Sequence, residues 1–362
     1  MKREKKRIIS PFAALSVLLF IIIGVVYLIT DVSAKFADLV NSTAARSFRL
    51  FFVSISSLVP FSVFELFMLL LPIIVFLVIR GALKSFDKGC GIRYLINLAA
   101  VVLLIYTGHI FALGIAHNTT TVDKKMSLTE TEVTAENLAE TLTMLRDEIN
   151  ALATTVPRNS DGVFDPEYSF DEISEGVSRS YDALAAEYGL PDGFDSRAKG
   201  VVNSWAMSYL GISGIFTYPT GEANVNSYYP AYVTIFTSAH EMCHQRGILR
   251  ENEANFLAFL ITFTSDDDNF RYSGALNIYS YFASALYRTD KELYFEINSE
   301  LSPLARVDIN AANKVTEKYG DTIIEDISEW INDFYLESSG SGGIVSYSRV
   351  VELVLAYYNT DK

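Results

Sequence analysis

The residues best suited to catalysis lie in one short segment, His240-Glu241-Met242-Cys243-His244. If this segment is helical, side chains four residues apart share a face, so both imidazoles can reach one metal ion. Glu241 follows the first histidine and can take a proton from a zinc-bound water at the open coordination position. The pattern predicts a Zn²⁺ site at His240 and His244, with Glu241 as general base for peptide hydrolysis.

A catalytic zinc ion needs a third protein ligand. The chain has only four histidines and two cysteines. After residue 116, the only histidine besides His240 and His244 is His117, and the only cysteine is Cys243. His117 adjoins the predicted membrane boundary, and Cys243 reads as a small buried residue. The third ligand is therefore predicted to be a carboxylate.

Two glutamates downstream compete for this role, Glu251 and Glu253. Gly247 can end the motif helix, so that the chain turns back and presents a second helix. On that helix Glu251 shares a face with Asn255, whose amide could hydrogen-bond a ligating histidine. Glu253 points about 160° away, so Glu251 is the preferred ligand and Glu253 the alternative.

Three further residues are candidates for supporting roles. Residues 221–226 are placed to form an edge strand before the motif helix, where Asn224 could hydrogen-bond a peptide substrate; an ordinary turn and strand fits equally well. Tyr347 is a candidate donor to developing oxyanion charge, although a packing role is common among the 21 tyrosines. Arg246 is expected to pair with the acidic cluster around Glu251.

Charge divides the chain into two parts. Residues 1–115 contain 12 basic and 5 acidic side chains, whereas residues 116–362 contain 17 and 38. An acidic chain argues against nucleic-acid binding, and two cysteines argue against a disulfide scaffold. We expect a membrane anchor over residues 1–116 and a soluble domain over residues 117–362.

Three apolar stretches, residues 8–30, 59–79 and 94–116, are long enough to cross a lipid bilayer as helices. The first is longer than a typical signal-peptide core, which favours an uncleaved anchor. Basic residues precede the first stretch and fill the loop between the second and third, which predicts a cytoplasmic N-terminus and an extracytoplasmic domain. Glu65 in the second stretch is expected to find a polar partner or to snorkel.

The soluble half is predicted to be mainly helical with a small sheet. Leucine and isoleucine at spacings of three and four indicate a helix over residues 134–154, with Thr134 as N-cap. Further helices are predicted over Phe170–Tyr188 and residues 196–210, and strands from Gly214 and from Glu222. The fold class is mainly α: three transmembrane helices plus a zincin-like α+β ectodomain.

The motifs also resemble known families. His-Glu-x-x-His followed by Glu251-x-x-Ala254-Asn255 resembles the gluzincin metallopeptidases. The segments 211–215, 221–224, 240–247, 251–256 and 346–351 are similar to domain-of-unknown-function family 3810, bacterial proteins with N-terminal membrane spans and a predicted metallopeptidase domain. The resemblance implies zinc ligands at His240, His244 and Glu251, with Glu241 as base.

Together these observations predict a membrane-anchored zinc metallopeptidase in the cell membrane, acting on peptide or protein substrates outside the cytoplasm. The alternative is a non-catalytic membrane-bound module that holds zinc for binding or sensing.

Overall fold

The computed structural model describes residues 8–191, 193–319 and 343–360, without the side chains of 343–347 and 360. Its strands are β1 (Ala198–Val201), β2 (Gly214–Thr217) and β3 (Glu222–Asn226). Its helices are α1 (Pro11–Val32), α2 (Ala34–Val40), α3 (Arg46–Ser56), α4 (Val63–Asp87), α5 (Gly91–His109), α6 (Ile115–His117), α7 (Val122–Lys125), α8 (Ala135–Ala153), α9 (Phe170–Tyr188), α10 (Ser204–Tyr209), α11 (Ala231–Gln245), α12 (Glu251–Phe263), α13 (Asp268–Thr289), α14 (Lys291–Ser299), α15 (Pro303–Tyr319) and α16 (Gly343–Thr360). The described part is mainly α with a small sheet, as predicted.

Three helices are long and apolar enough to cross a membrane: Pro11–Val32, Val63–Asp87 and Gly91–His117. We call them the first, second and third spans; the third joins α5 and α6 through a π-helical turn, Ile110–Gly114. The three predicted spans are confirmed, with shifted bounds. The second span begins at Val63 because the Ser62 hydroxyl caps its first turn, accepting from the Glu65 N–H at 3.0 Å.

Polar contacts fix the two ends of the first and third spans against each other. Ser10 donates to Asn97 at 2.5 Å, and Asn118 donates to Thr30 at 3.1 Å. The second pair lies where the third span leads into the remainder of the chain. The soluble domain therefore lies at the end of the spans that holds Thr30 and Asn118.

Two long helices of the soluble domain follow the predicted pattern. In α8 the predicted apolar face is buried, and Thr134 accepts the Asn137 N–H at 3.2 Å as N-cap. Helix α9 begins with a capping box between Ser169 and Glu172 and ends at Gly189, whose φ of 62° favours glycine. Local sequence signals set both helices.

Helix α12 lies at the centre of the soluble domain. Every side chain from residue 256 to 261 is fully buried, because α11, α13 and α16 pack around it. A helix that is apolar on all sides needs such an enclosure. The packing of α12 holds its first residue, Glu251, in place.

The sheet has the strand order β1-β3-β2, with β1 parallel and β2 antiparallel to β3. The predicted helix over residues 196–210 is wrong in its first part. Residues 198–201 form β1 because they pair with Ala223–Asn226, and only Ser204–Tyr209 is helical. The strand expected at the sheet edge, β3, is the central strand.

The segment between the first two spans packs against the soluble domain. It comprises α2, the π-helix Asn41–Ala45 and α3. Asn41 donates from its amide to the Gly247 carbonyl at 3.0 Å, and a Cβ on Gly221 would lie 2.6 Å from the Val53 nitrogen. The boundary at residue 116 stays a prediction, but the two sides of it share an interface.

Two carboxylates join the second span to the soluble domain. Buried Glu222 of β3 accepts the Val63 and Phe64 N–H groups at 2.9 and 2.8 Å, so it caps the start of α4. Its other partner is Lys199 of β1, at 2.7 Å.

In return, Glu65 of α4 accepts the N–H groups of Val202 and Asn203 at 3.0 and 2.7 Å, just before α10. The polar partner expected for Glu65 is therefore the backbone of the soluble domain. Each side of the junction supplies an anion to a helix start of the other.

Candidate metal centre

Helix α11, which we call the motif helix, carries His240, Glu241 and His244 on consecutive turns. It ends in a Schellman motif: the Ile248 N–H donates to the Cys243 carbonyl at 3.1 Å, and the Gly247 N–H donates to the His244 carbonyl at 3.0 Å. Gly247 has a φ of 88°, which glycine alone adopts without strain. This turn brings α12 back beside the motif helix.

Glu251, the first residue of α12, faces both histidines. Its Oε2 lies 3.2 Å from His240 Nε2, and its Oε1 lies 3.5 Å from His244 Nε2. One ligand atom from each of the three side chains fits within 4.8 Å of the others.

A tetrahedral zinc ion with ligands at about 2.0–2.1 Å places neighbouring ligand atoms about 3.3 Å apart. The two distances to Glu251 agree with this spacing, and two nitrogens with one carboxylate are a common donor set of catalytic zinc. The donor chemistry fits the ion that the sequence predicts, and each histidine nitrogen lies near this spacing from one oxygen of Glu251.

Backbone geometry orients His244. Its Nδ1 lies 2.8 Å from the Ile248 carbonyl oxygen, which can only accept, so Nδ1 carries the proton. In the neutral ring this leaves the Nε2 lone pair directed at the cluster. The buried Nδ1 of His240 has no hydrogen-bond partner among the described residues.

Glu241 is 4% exposed and lies beneath β2. The Phe216 N–H faces its carboxylate and favours the charged form, while Oε2 is buried and has no hydrogen-bond partner within the described part of the chain. Burial raises the pKa of Glu241, against the opposing effect of the two histidines. Glu241 is thus a buried carboxyl group with one oxygen that no described residue hydrogen-bonds.

The three cluster side chains perturb one another strongly. Burial alone would raise the pKa of Glu251, but the neighbouring imidazoles, His244 foremost, hold it well below its usual range. Burial alone would lower the pKa of His244, but Glu251 raises it to about 9. Glu251 is therefore an anion facing the histidines, and its position at the start of α12 favours that charge.

Comparison with known proteins places the chain in a family. Its sequence matches the model of a family described as protein of unknown function (DUF3810) over residues 43–355. The chain belongs to this family. No curated protein and no solved structure matches it. The match begins at Thr43, so it includes α3 but not α2.

The other residues predicted around Glu251 have different partners. Glu253 points away from the histidines and accepts from Arg250 at 3.0 Å and from the Val122 N–H at 3.2 Å. Asn255 was predicted to orient a ligating histidine. Within the described chain it makes no hydrogen bond to the Nδ1 of either imidazole.

The prediction that Arg246 pairs with the acidic cluster is wrong. Its guanidinium is buried on the other side of the motif helix, 4.6 Å from the Tyr181 ring centre, and donates to Ser178 at 3.0 Å. Arg250, rather than Arg246, forms the predicted ion pair with the acidic cluster, through Glu253.

The predicted substrate contact of Asn224 is also wrong. Asn224 is fully buried in the central strand, and its amide donates to Thr217 Oγ1 at 3.1 Å. Tyr347 belongs to α16, but its side chain lies outside the described residues. The strand beside Glu241 is β2, which is an edge of the sheet.

Sequence reasoning missed two backbone positions at the site. Gly214 lies so close to the motif helix that a Cβ there would be 2.5 Å from Thr237 Cγ2 and 2.6 Å from Glu241 Oε1. The Ile248 carbonyl orients His244. Gly214 in a β-rich run was a signal, because a glycine inside a strand often marks a close approach.

Proposed function

We propose that this protein is a membrane-anchored zinc metallopeptidase of gluzincin type, which hydrolyses peptide bonds outside the cytoplasm. The observation that supports it most is the convergence of His240, His244 and Glu251 beside a buried carboxylate with one unpaired oxygen. A structural zinc site needs no such carboxylate.

Zinc held by His240, His244 and Glu251 would supply a Lewis acid that polarises a peptide carbonyl and lowers the pKa of water. Glu241 would accept the proton from the attacking water, whose oxygen bonds to the carbonyl carbon as the C–N bond breaks. Glu241 would then deliver that proton to the leaving amine. Its Oε2 has no hydrogen-bond partner among the described residues and is free for both transfers.

The proposed orientation follows from the basic residues at one end of the spans. Lys2, Arg3, Lys5, Lys6 and Arg7 precede the first span, and Arg80, Lys84, Lys88 and Arg93 surround the turn between the second and third. Basic residues of this kind remain in the cytoplasm. Asn118, where the chain leaves the third span, lies at the opposite end of the spans beside Thr30, which supports a site outside the cytoplasm.

The test compares purified full-length wild type with Glu241→Gln. Metal content is measured by mass spectrometry, and peptidase activity on a peptide library is followed by product identification. We expect about one zinc ion per chain in both proteins, and a loss of turnover of about 10²- to 10⁴-fold in the variant. The control is Glu175→Gln, which changes an exposed carboxyl of α9 and should leave both readouts unchanged.

Two results would count against the proposal. Zinc near zero in wild-type protein purified without chelators would exclude a zinc enzyme. Bound zinc with no cleavage in either protein would favour the non-catalytic binding or sensing module.

A further inference from the structure

Among the described residues, no strand pairs with the edge of β2 that faces away from β3, and this edge adjoins Glu241. The carbonyls of Ser213 and Thr217 each accept an N–H group from the β3 side at 2.8 Å. Because pairing directions alternate along an antiparallel strand, Gly214 and Phe216 direct their N–H and C=O groups to the open edge. The contact between the Phe216 N–H and Glu241 agrees with this. An extended peptide added to this edge would pass directly over Glu241.

Strand β2 also has a defined direction relative to the spans. It begins at Gly214, beside Glu241. Phe216 then packs with a cluster at the end of the third span, formed by Ala112, Leu113, Ala116 and Leu249. Tyr218, directly after the strand, donates to the Ile105 carbonyl, about 18 Å of helix before His117. From N- to C-terminus, β2 therefore runs alongside the third span toward the membrane.

Exposed apolar side chains mark the level of the bilayer. Phe51 and Ile55 are exposed one turn apart on α3, and Leu58 is exposed in the turn that follows the helix. Trp205, at the start of α10, is also exposed, next to the backbone that Glu65 of the second span holds. Such apolar and aromatic residues beside a span are typical of the membrane interface. The site thus lies against the bilayer surface.

We propose that the substrate is a membrane-anchored polypeptide, cut in an extended segment just outside the bilayer. This inference rests on the proposed peptidase function and adds the substrate class. A peptide paired with β2 has one end directed at the membrane. Antiparallel pairing is the more stable arrangement, so the substrate runs away from the membrane from its N- to its C-terminus. Its anchor is therefore on the N-terminal side of the cleaved bond, and hydrolysis releases the C-terminal part.

The test uses wild-type protein in phosphatidylethanolamine–phosphatidylglycerol vesicles and three reporters that share one randomised extended linker. One reporter has an N-terminal transmembrane helix, one has a C-terminal transmembrane helix, and one has no anchor. The C-anchored reporter is the matched control, since it has the same surface concentration as the N-anchored one. We expect the N-anchored reporter to be cleaved at least tenfold faster than either of the others.

A second readout does not depend on turnover. In Glu241→Gln, a photoreactive benzoylphenylalanine at Ile215 of β2 should cross-link the N-anchored reporter in preference to the other two. Equal cleavage of the soluble reporter, or faster cleavage of the C-anchored one, would overturn the inference while the peptidase function stands. If no reporter is cleaved and Glu241→Gln cross-links none, both the function and the inference fail.

Discussion

Gly214 of β2 and Glu241 of the motif helix are in direct contact, so closely that a Cβ on Gly214 would lie 2.6 Å from Glu241 Oε1. The strand can bring the Phe216 N–H to the carboxylate only because residue 214 has no side chain. The position of the Glu241 carboxylate is thus set by the sheet as well as by its own helix.

Gly214→Ala should therefore displace Glu241 while leaving the metal ligands in place. We expect peptidase activity to fall by at least about tenfold with zinc content unchanged, and unfolding to become easier by about 1–3 kcal/mol through overpacking. Activity, metal analysis and thermal unfolding measure the three effects. Ser213→Ala is the neighbouring control and should match wild type; loss of zinc in Gly214→Ala would contradict the prediction.

The choice between two glutamates is tested by a matched pair of amides. Glu251→Gln replaces the carboxylate that faces both histidines and should weaken zinc binding by at least about 100-fold, since a neutral amide is a poorer ligand. Glu253→Gln changes a carboxylate bound to Arg250 and should keep the affinity. Competition with a chromophoric chelator measures both, and the reverse pattern would make Glu253 the ligand.

Zinc binding should depend on pH in a defined direction. Glu251 raises the pKa of His244 to about 9, so below that pH zinc must displace a proton from the ring. Affinity should increase by about tenfold per pH unit from 7 to 8.5 and level off above 9. Calorimetry in two buffers of different ionisation enthalpy should show about one proton released per zinc at pH 7. No proton release at pH 7 would refute the prediction that zinc displaces a proton from His244.

The buried pair Lys199–Glu222 should be important for stability. Both side chains are nearly inaccessible, at 2% and 1% exposure, so Glu222→Ala leaves a buried cation unpaired and removes the cap of α4. We expect a loss of about 3–5 kcal/mol, measured by unfolding in detergent. Asp171→Ala, which breaks the exposed pair with Arg197, is the control and should cost about 0–1 kcal/mol. Equal losses in the free energy of unfolding for the two variants would contradict a special contribution of the Lys199–Glu222 pair to stability.

Features encoded within a few residues were predictable from the sequence. The spans, the capped helices α8 and α9, and the preference for Glu251 over Glu253 all follow from local periodicity and capping residues. Glu251 faces the histidines because residues 251 and 253 lie on different sides of α12.

Features that depend on distant partners were not predictable. Ala198–Val201 is a strand only because residues 223–226 pair with it, and that pairing makes β3 central and buries Asn224. The partner of Arg246 is Tyr181, more than sixty residues away in sequence.

The reciprocal caps at Glu65 and Glu222 have a consequence for biosynthesis. The second span leaves the ribosome well over a hundred residues before Lys199 and Glu222 are made, so its first turn and Glu65 wait without the contacts they later form. Glu222 can accept the N–H groups of Val63 and Phe64 only when the start of the second span is in place beside the sheet. Placement of the second span is therefore a step in folding the part of the chain that carries the candidate metal centre, and that part made alone would lack half of its own junction.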